Sequence, residues 1–128
     1  MRYLSHEDVL VIHAKILDES GGLHGVRDIN LLGSIIERPK MAMGGKDLYL
    51  DIFEKAAVYF ESCACHHVFI DGNKRTAIAL AARFLHINGY ILKTSNEILE
   101  NFVSDAVVKK YDIAKIAVWL KKHSKNNE

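Results

Sequence analysis

Proline occurs once, at Pro39, and the 128 residues contain no repeat and no low-complexity stretch apart from a polar end, "KKHSKNNE". Extended linkers are thereby excluded, and the expected organisation is one domain over residues 1–122 with a frayed polar tail over 123–128. Cysteine is scarce too. Cys63 and Cys65 lie two apart, and in a helix that spacing turns them onto different faces, where they cannot pair. They read as reduced thiols. An excess of one charge is also missing: Lys+Arg 17 against Asp+Glu 16 leaves a net charge of +1, without the basic footprint of a DNA-binding protein. No apolar run approaches the roughly 20 residues that span a bilayer. The opening "MRYLSHEDVL" lacks the apolar core of a signal peptide. A cytoplasmic protein with neither membrane nor DNA as partner is expected.

Strand-like alternation is sparse, and what fills the chain is helical. Ser5 with Asp8 three residues on forms a capping-box pattern, and Val9, Leu10, Ile12, His13, Ile16 and Leu17 follow at helical spacing, predicting a helix from about His6 to Glu19. "SGGLHG" breaks it. Asp28 caps a second helical pattern that ends near Glu37, because the residue before Pro39 is pushed out of helical geometry. "MAMGGKD" is a loop or short hairpin, the expected flap over the site. A long helix is expected from Leu48 to His66, and "KRTAIALAARFLHINGY", apolar throughout 77–82, reads as the helix at the centre of the bundle. Asn88 and Gly89 stop it, "YILK" is a short strand, and Ser95 and Asp112 open two more helices. The fold class is therefore all-α: about six helices around a buried central helix.

Between those two long helices lies "HHVFIDGNKRT", residues 66–76, where the unusual side chains collect. The first turn of a helix carries unpaired N–H groups and the positive end of the helix dipole, a ready anion site. Gly72 admits close approach of a ligand, Asn73 can cap the helix, and Lys74 and Arg75 add two charges that the dipole disfavours by about 0.3–1 kcal/mol each. A phosphate chain would complete such a site. Asp71 suits Mg2+, which commonly takes one or two carboxylates plus phosphate oxygens. His67 is the natural proton acceptor, since an imidazole titrates near neutrality. The pattern points to phosphoryl or nucleotidyl transfer to a hydroxyl, and no G-x-x-x-x-G-K-S/T loop is present.

"HVFIDGNKR" resembles the signature of the Fic/Doc family, H-x-F-x-(D/E)-(G/A)-N-(G/K)-R, with every fixed position filled. "GGLHGVRD" before it and "FLHINGY" with a helical tail after it look like the short death-on-curing (Doc) branch of toxins of toxin–antitoxin modules. The resemblance implies a Fic/Doc fold with ATP and Mg2+ as cofactors. His67, Asp71, Lys74 and Arg75 are then the catalytic residues, with Asp71 on the metal. Gly72, Asn73, Lys74, Arg75 and Thr76 form the phosphate-binding turn, and Phe69 is structural. Fic adenylyltransferases typically read G-N-G-R-x-x-R. Here Lys74 replaces the glycine and Ile78 stands at the second arginine. Both departures resemble Doc, whose lysine is associated with ATP bound in reverse, so phosphorylation of elongation factor Tu is favoured over AMP transfer, which stays open as the alternative. "NEILEN" lacks the serine or threonine of a self-inhibiting helix, so the implied restraint is a separate antitoxin protein.

Other readings carry less. In "CACHH" only Cys63 and His67 share a helix face and no second cysteine pair exists, so burial outweighs zinc binding. His13, His24, His86 and His123 show no partner pattern, and packing or surface is expected for each. An all-α ribonuclease toxin would need an arginine and histidine more widely spaced than "RFLH" provides. A non-catalytic nucleotide-binding module is the remaining alternative.

Overall fold

The computed structural model describes residues 1–127. Its elements run α1 (His6–Ser20), α2 (Ile29–Glu37), a 3-10 turn (Arg38–Lys40), β1 (Ala42–Met43), β2 (Lys46–Asp47), α3 (Ile52–Ala64), α4 (Asn73–Ile87), β3 (Tyr90–Leu92), α5 (Asn96–Val108), α6 (Ile113–Lys122) and β4 (Ser124–Asn126). The all-α expectation holds: six α-helices and two small antiparallel ribbons, β1–β2 and β3–β4. Among the described residues no helix is long and apolar enough to cross a membrane.

Five of the six helices start where a short polar side chain takes up the first free N–H groups. Ser5, Asp28, Asp51, Ser95 and Asp112 each accept from a backbone amide two or three residues on, and Ser5 and Asp8 complete a capping box. Asp51 moves the start of α3 later than the Leu48 expected, and leaves Leu50 out in solvent. The exception to capping is α4, discussed below.

The deepest helix is α3 rather than α4. Phe53, Ala56, Ala57, Val58, Tyr59, Phe60, Cys63 and Ala64 are buried on all its sides, and it packs chiefly on α4 and α6. In α4 the buried stripe Ala77, Leu80, Ala81, Phe84 and Leu85 faces α3, while Ile78, Ala79 and Ala82 stay half-buried and line a cavity of about 890 Å³. The apolar run 77–82 thus serves two faces, a core and a cleft. The Tyr59 hydroxyl accepts from the Leu4 amide at 3.0 Å inside the core, and burial pushes its pKa up to about 12.

The β1–β2 hairpin pairs Ala42 with Asp47 and Met43 with Lys46. It is rooted by Lys55, 1% exposed, which donates to the Pro39 carbonyl at 3.0 Å and to Asp47 at 3.1 Å. Burial pulls the Lys55 pKa down, but hydrogen bonds to Tyr3 and Asp47 outweigh it and hold the ammonium charged. Both ends of the described chain converge on the turn after α4. Arg2 and Asn88 exchange two hydrogen bonds of 2.8 Å, and Asn127 donates to the Gly89 carbonyl at 2.8 Å. The tail expected to fray instead supplies β4, because Tyr90–Leu92 offers an open edge with which Ser124–Asn126 pairs in register.

Candidate active site

The segment between α3 and α4 is a built loop. α3 ends at Cys65, and the chain turns sharply through His67, which takes the left-handed conformation at φ 51. Histidine is among the few non-glycine residues enriched there. The loop then runs antiparallel to residues 25–28: Val26 bridges Phe69, Ile70 donates to the Gly25 carbonyl at 3.0 Å, and the Val68 carbonyl accepts from Arg27 at 2.8 Å and Asp28 at 3.1 Å. Arg27 adds its side chain, with Nε donating to the His67 carbonyl at 2.6 Å. Two segments 40 residues apart are therefore zipped together before the site begins.

Asn73 closes the loop on itself. Its Oδ1 accepts from the Phe69 amide and its Nδ2 donates to the Phe69 carbonyl, both at 2.9 Å. This corrects the expectation that Asn73 caps α4: its side chain bonds back to Phe69, and the N-cap is Gly72. Gly72 adopts φ 76, which favours glycine, and a Cβ there would press at 2.8 Å on Cδ2 at the end of the Leu17 side chain. No side chain caps α4. Its first turn keeps unpaired amides under two cations, Lys74 and Arg75.

Asp71 is held from three sides. Oδ1 accepts from the Gly72 amide at 2.9 Å and Oδ2 from the Leu23 amide at 3.2 Å, and its backbone carbonyl meets His13 Nε2 at 2.9 Å. Gly22 lies so close that a Cβ would stand 2.8 Å from Oδ2. The carboxylate remains about half exposed, with each oxygen retaining a lone pair, and Arg75 Nη2 lies 4.0 Å away. Among the described residues, no three His, Cys, Asp or Glu side chains converge on a metal site. That donor set cannot cage an ion alone, but it fits magnesium, which completes its shell with water and phosphate oxygens.

Arg75 is anchored at the C-terminus of α1, donating to the Ser20 hydroxyl and, at 3.3 Å, to the Gly21 carbonyl. With Lys74 it lines the 890 Å³ cavity, along with Glu19, Ile78, Leu99 and Glu100. His67 is exposed and opens onto a different groove of about 310 Å³, lined by Glu61, Cys65, Val107, Lys110 and Tyr111. The two cavities share no lining residue. Thr76, expected in the phosphate turn, is fully buried, its amide bonded to the Gly72 carbonyl at 2.9 Å and its hydroxyl without a partner. The helical register turns it to the core, so it offers nothing to a phosphate. Phe69 is 1% exposed and stacks on His13 at 3.7 Å between ring centroids, 9° from parallel. The hairpin expected to be the flap is rooted on α3 at Lys55, which at about 1.5 Å per residue is roughly 15 Å along the helix from Cys65, the end that leads to His67.

Two contributors escaped the sequence. His13 and Arg27 hold the loop from α1 and the segment before α2, yet nothing in their local pattern marks them. Cys63 is buried, its Sγ donating to the Asn73 carbonyl at 3.4 Å, and burial pushes its pKa up to about 12. Burial also raises Cys65, less strongly. In the native chain at pH 8, a thiol-reactive dye should therefore label Cys65 slowly and leave Cys63 untouched until denaturant is added. Mass mapping of the labelled peptide reads the order, and early label on Cys63 would contradict its place behind the loop.

Comparison with known proteins places this architecture. The sequence pattern of the Fic/DOC family matches residues 3–85, from before α1 to near the end of α4. Over 120 residues, 92% of this chain and 90% of the relative, the sequence is 38% identical to Toxin Doc of Mycolicibacterium smegmatis. It is 34% identical over 106 residues, 83% of each chain, to Protein kinase doc of Escherichia phage P1. With that coverage, and with the family's signature forming the zipped loop between α3 and α4, this chain belongs to the Fic/DOC family, as a Doc-like toxin.

Proposed function

We propose that this chain transfers the γ-phosphate of ATP to a hydroxyl of a protein, elongation factor Tu being the target the Doc resemblance implies, and that an antitoxin protein restrains it in trans. The observation that carries the reading is the first turn of α4, left uncapped beneath Lys74 and Arg75 in a chain that caps every other α-helix with serine or aspartate. Free amides, a helix dipole and two cations at one point bind a polyanion. The name of the phage P1 relative, Protein kinase doc, supports phosphate as the group transferred.

The acceptor side chain enters the groove onto which His67 opens. His67 takes the hydroxyl proton as the oxygen attacks the γ-phosphorus, and the bond from the γ-phosphorus to the bridging oxygen breaks, releasing ADP. The amides of Asn73, Lys74 and Arg75 and the side chains of Lys74 and Arg75 offset the charge that spreads over the phosphoryl oxygens. Arg75 needs little reorganisation, because Ser20 and Gly21 already hold it. Asp71 is the residue that would hold magnesium, which when bound neutralises the phosphate chain.

ATP labelled separately on the α- and γ-phosphates, offered with elongation factor Tu and with a cell extract, tests the reading. Label from the γ position on a protein is the expected result. Label from the α position alone would replace it with adenylyl transfer by the same residues, and no label from either would remove the transferase reading.

A further inference from the structure

We infer that His13 is a positioning residue for the catalytic loop: it fixes the Asp71–Gly72 peptide, and through that peptide the Asp71 carboxylate and the anion-binding turn. The inference deepens the phosphotransfer reading and rests on it for its activity arm only.

The Asp71–Gly72 peptide is held at both polar ends. Its carbonyl meets His13 Nε2 at 2.9 Å, and its N–H donates to the Asp71 Oδ1 at 2.9 Å. A carbonyl only accepts, so Nε2 must donate the proton in this bond. Gly72, at φ 76, is the residue at which such a peptide can rotate at low cost, because glycine tolerates both signs of φ. A rotated peptide would withdraw the N–H that holds Oδ1 and would redirect the amides that open α4. The His13 bond selects one of the two orientations.

The rest of α1 works in the same direction. Leu17, four residues on, fills the space that a Cβ at Gly72 would need, and Ser20, seven residues on, receives Arg75. Positions 13, 17 and 20 share one helix face, so a single stripe of α1 sets Asp71, Gly72 and Arg75. Phe69 stacked on the His13 ring holds that ring at the angle its hydrogen bond needs.

His13→Phe keeps the stack and removes the donor. His13→Gln removes the stack and keeps an N–H. The test compares both with the unaltered chain by amide exchange at Phe69, Ile70 and Gly72, by thermal melting, and by kcat and KM for γ-phosphate transfer. His13→Phe is expected to speed Gly72 exchange and lower kcat by about tenfold each, the size of one lost buried hydrogen bond, with the KM for the protein acceptor unmoved. His13→Gln should recover most of both. Unchanged Gly72 exchange in a folded His13→Phe chain overturns the inference, and so does faster exchange with kcat intact. If the Phe chain fails to fold, loss of Gly72 protection in the Gln chain overturns it instead. If the unaltered chain transfers no phosphate, the phosphotransfer reading falls and Gly72 exchange alone decides the role of His13.

Discussion

Replacing His67 with alanine is expected to cut phosphate transfer by about 10²–10⁴-fold, the usual contribution of a general base, while nucleotide binding survives. The imidazole is exposed and packs into no core, and what the fold uses from this residue is its carbonyl, held by Arg27 at 2.6 Å. One complication is the backbone: φ 51 is costly for alanine, by about 1–2 kcal/mol. His67→Asn provides the control, since asparagine tolerates the left-handed region. A rapid-quench assay of transfer beside calorimetric titration of ATP separates the two quantities. If either variant kept the rate of the unaltered chain, another group would have to take the acceptor proton, and the mechanism above would fail at its first step.

Phe69→Ala is expected to do the reverse, costing about 3–5 kcal/mol of folding stability, as deletion of a buried aromatic ring usually does. The ring is 1% exposed, lies against His13 and belongs to the main core. Losing it also frees His13 from the angle that its bond to the Asp71 carbonyl demands, so transfer should fall in the fraction that remains folded. Chemical denaturation monitored through Trp119 reads the stability, and active-site titration reads the folded fraction. A loss below about 1 kcal/mol, the scale of a surface substitution, would mean that the loop is held by its backbone bonds alone. With the expected loss, two residues of one nine-residue motif do unlike jobs: His67 reacts, and Phe69 holds.

That division was only half legible in the sequence. Residues whose role follows from their own chemistry could be read directly: Ser5, Asp28, Ser95 and Asp112 as caps, and Lys74 and Arg75 as cations at a helix start. Those whose role depends on a distant partner could not. His13 bonds a carbonyl 58 positions away, and Arg27 one 40 positions away, and no local periodicity encodes such a pairing. Thr76 was misplaced because membership of a motif says nothing about which way a helix turns its side chain. The order of α3 and α4 in the core was misjudged for a related reason. An apolar run fits either a fully packed helix or one with a core face and a cleft face, and Ile78, Ala79 and Ala82 belong to the cleft.

The paired clasps at Asn88 and Gly89 give the molecule an uneven mechanical wiring. A pull between the segments around Arg2 and Asn127 meets its first resistance at one turn, in two bonds from the Asn88 side chain and one at the Gly89 carbonyl. The load enters at the C-terminal end of α4, while the uncapped turn lies at the other end of the same fifteen-residue rod. Tension at the chain ends would peel away β4 and the residues before α1 before any of it reached Lys74 and Arg75. Cargo joined to either end is thereby insulated from the chemistry by the length of one helix.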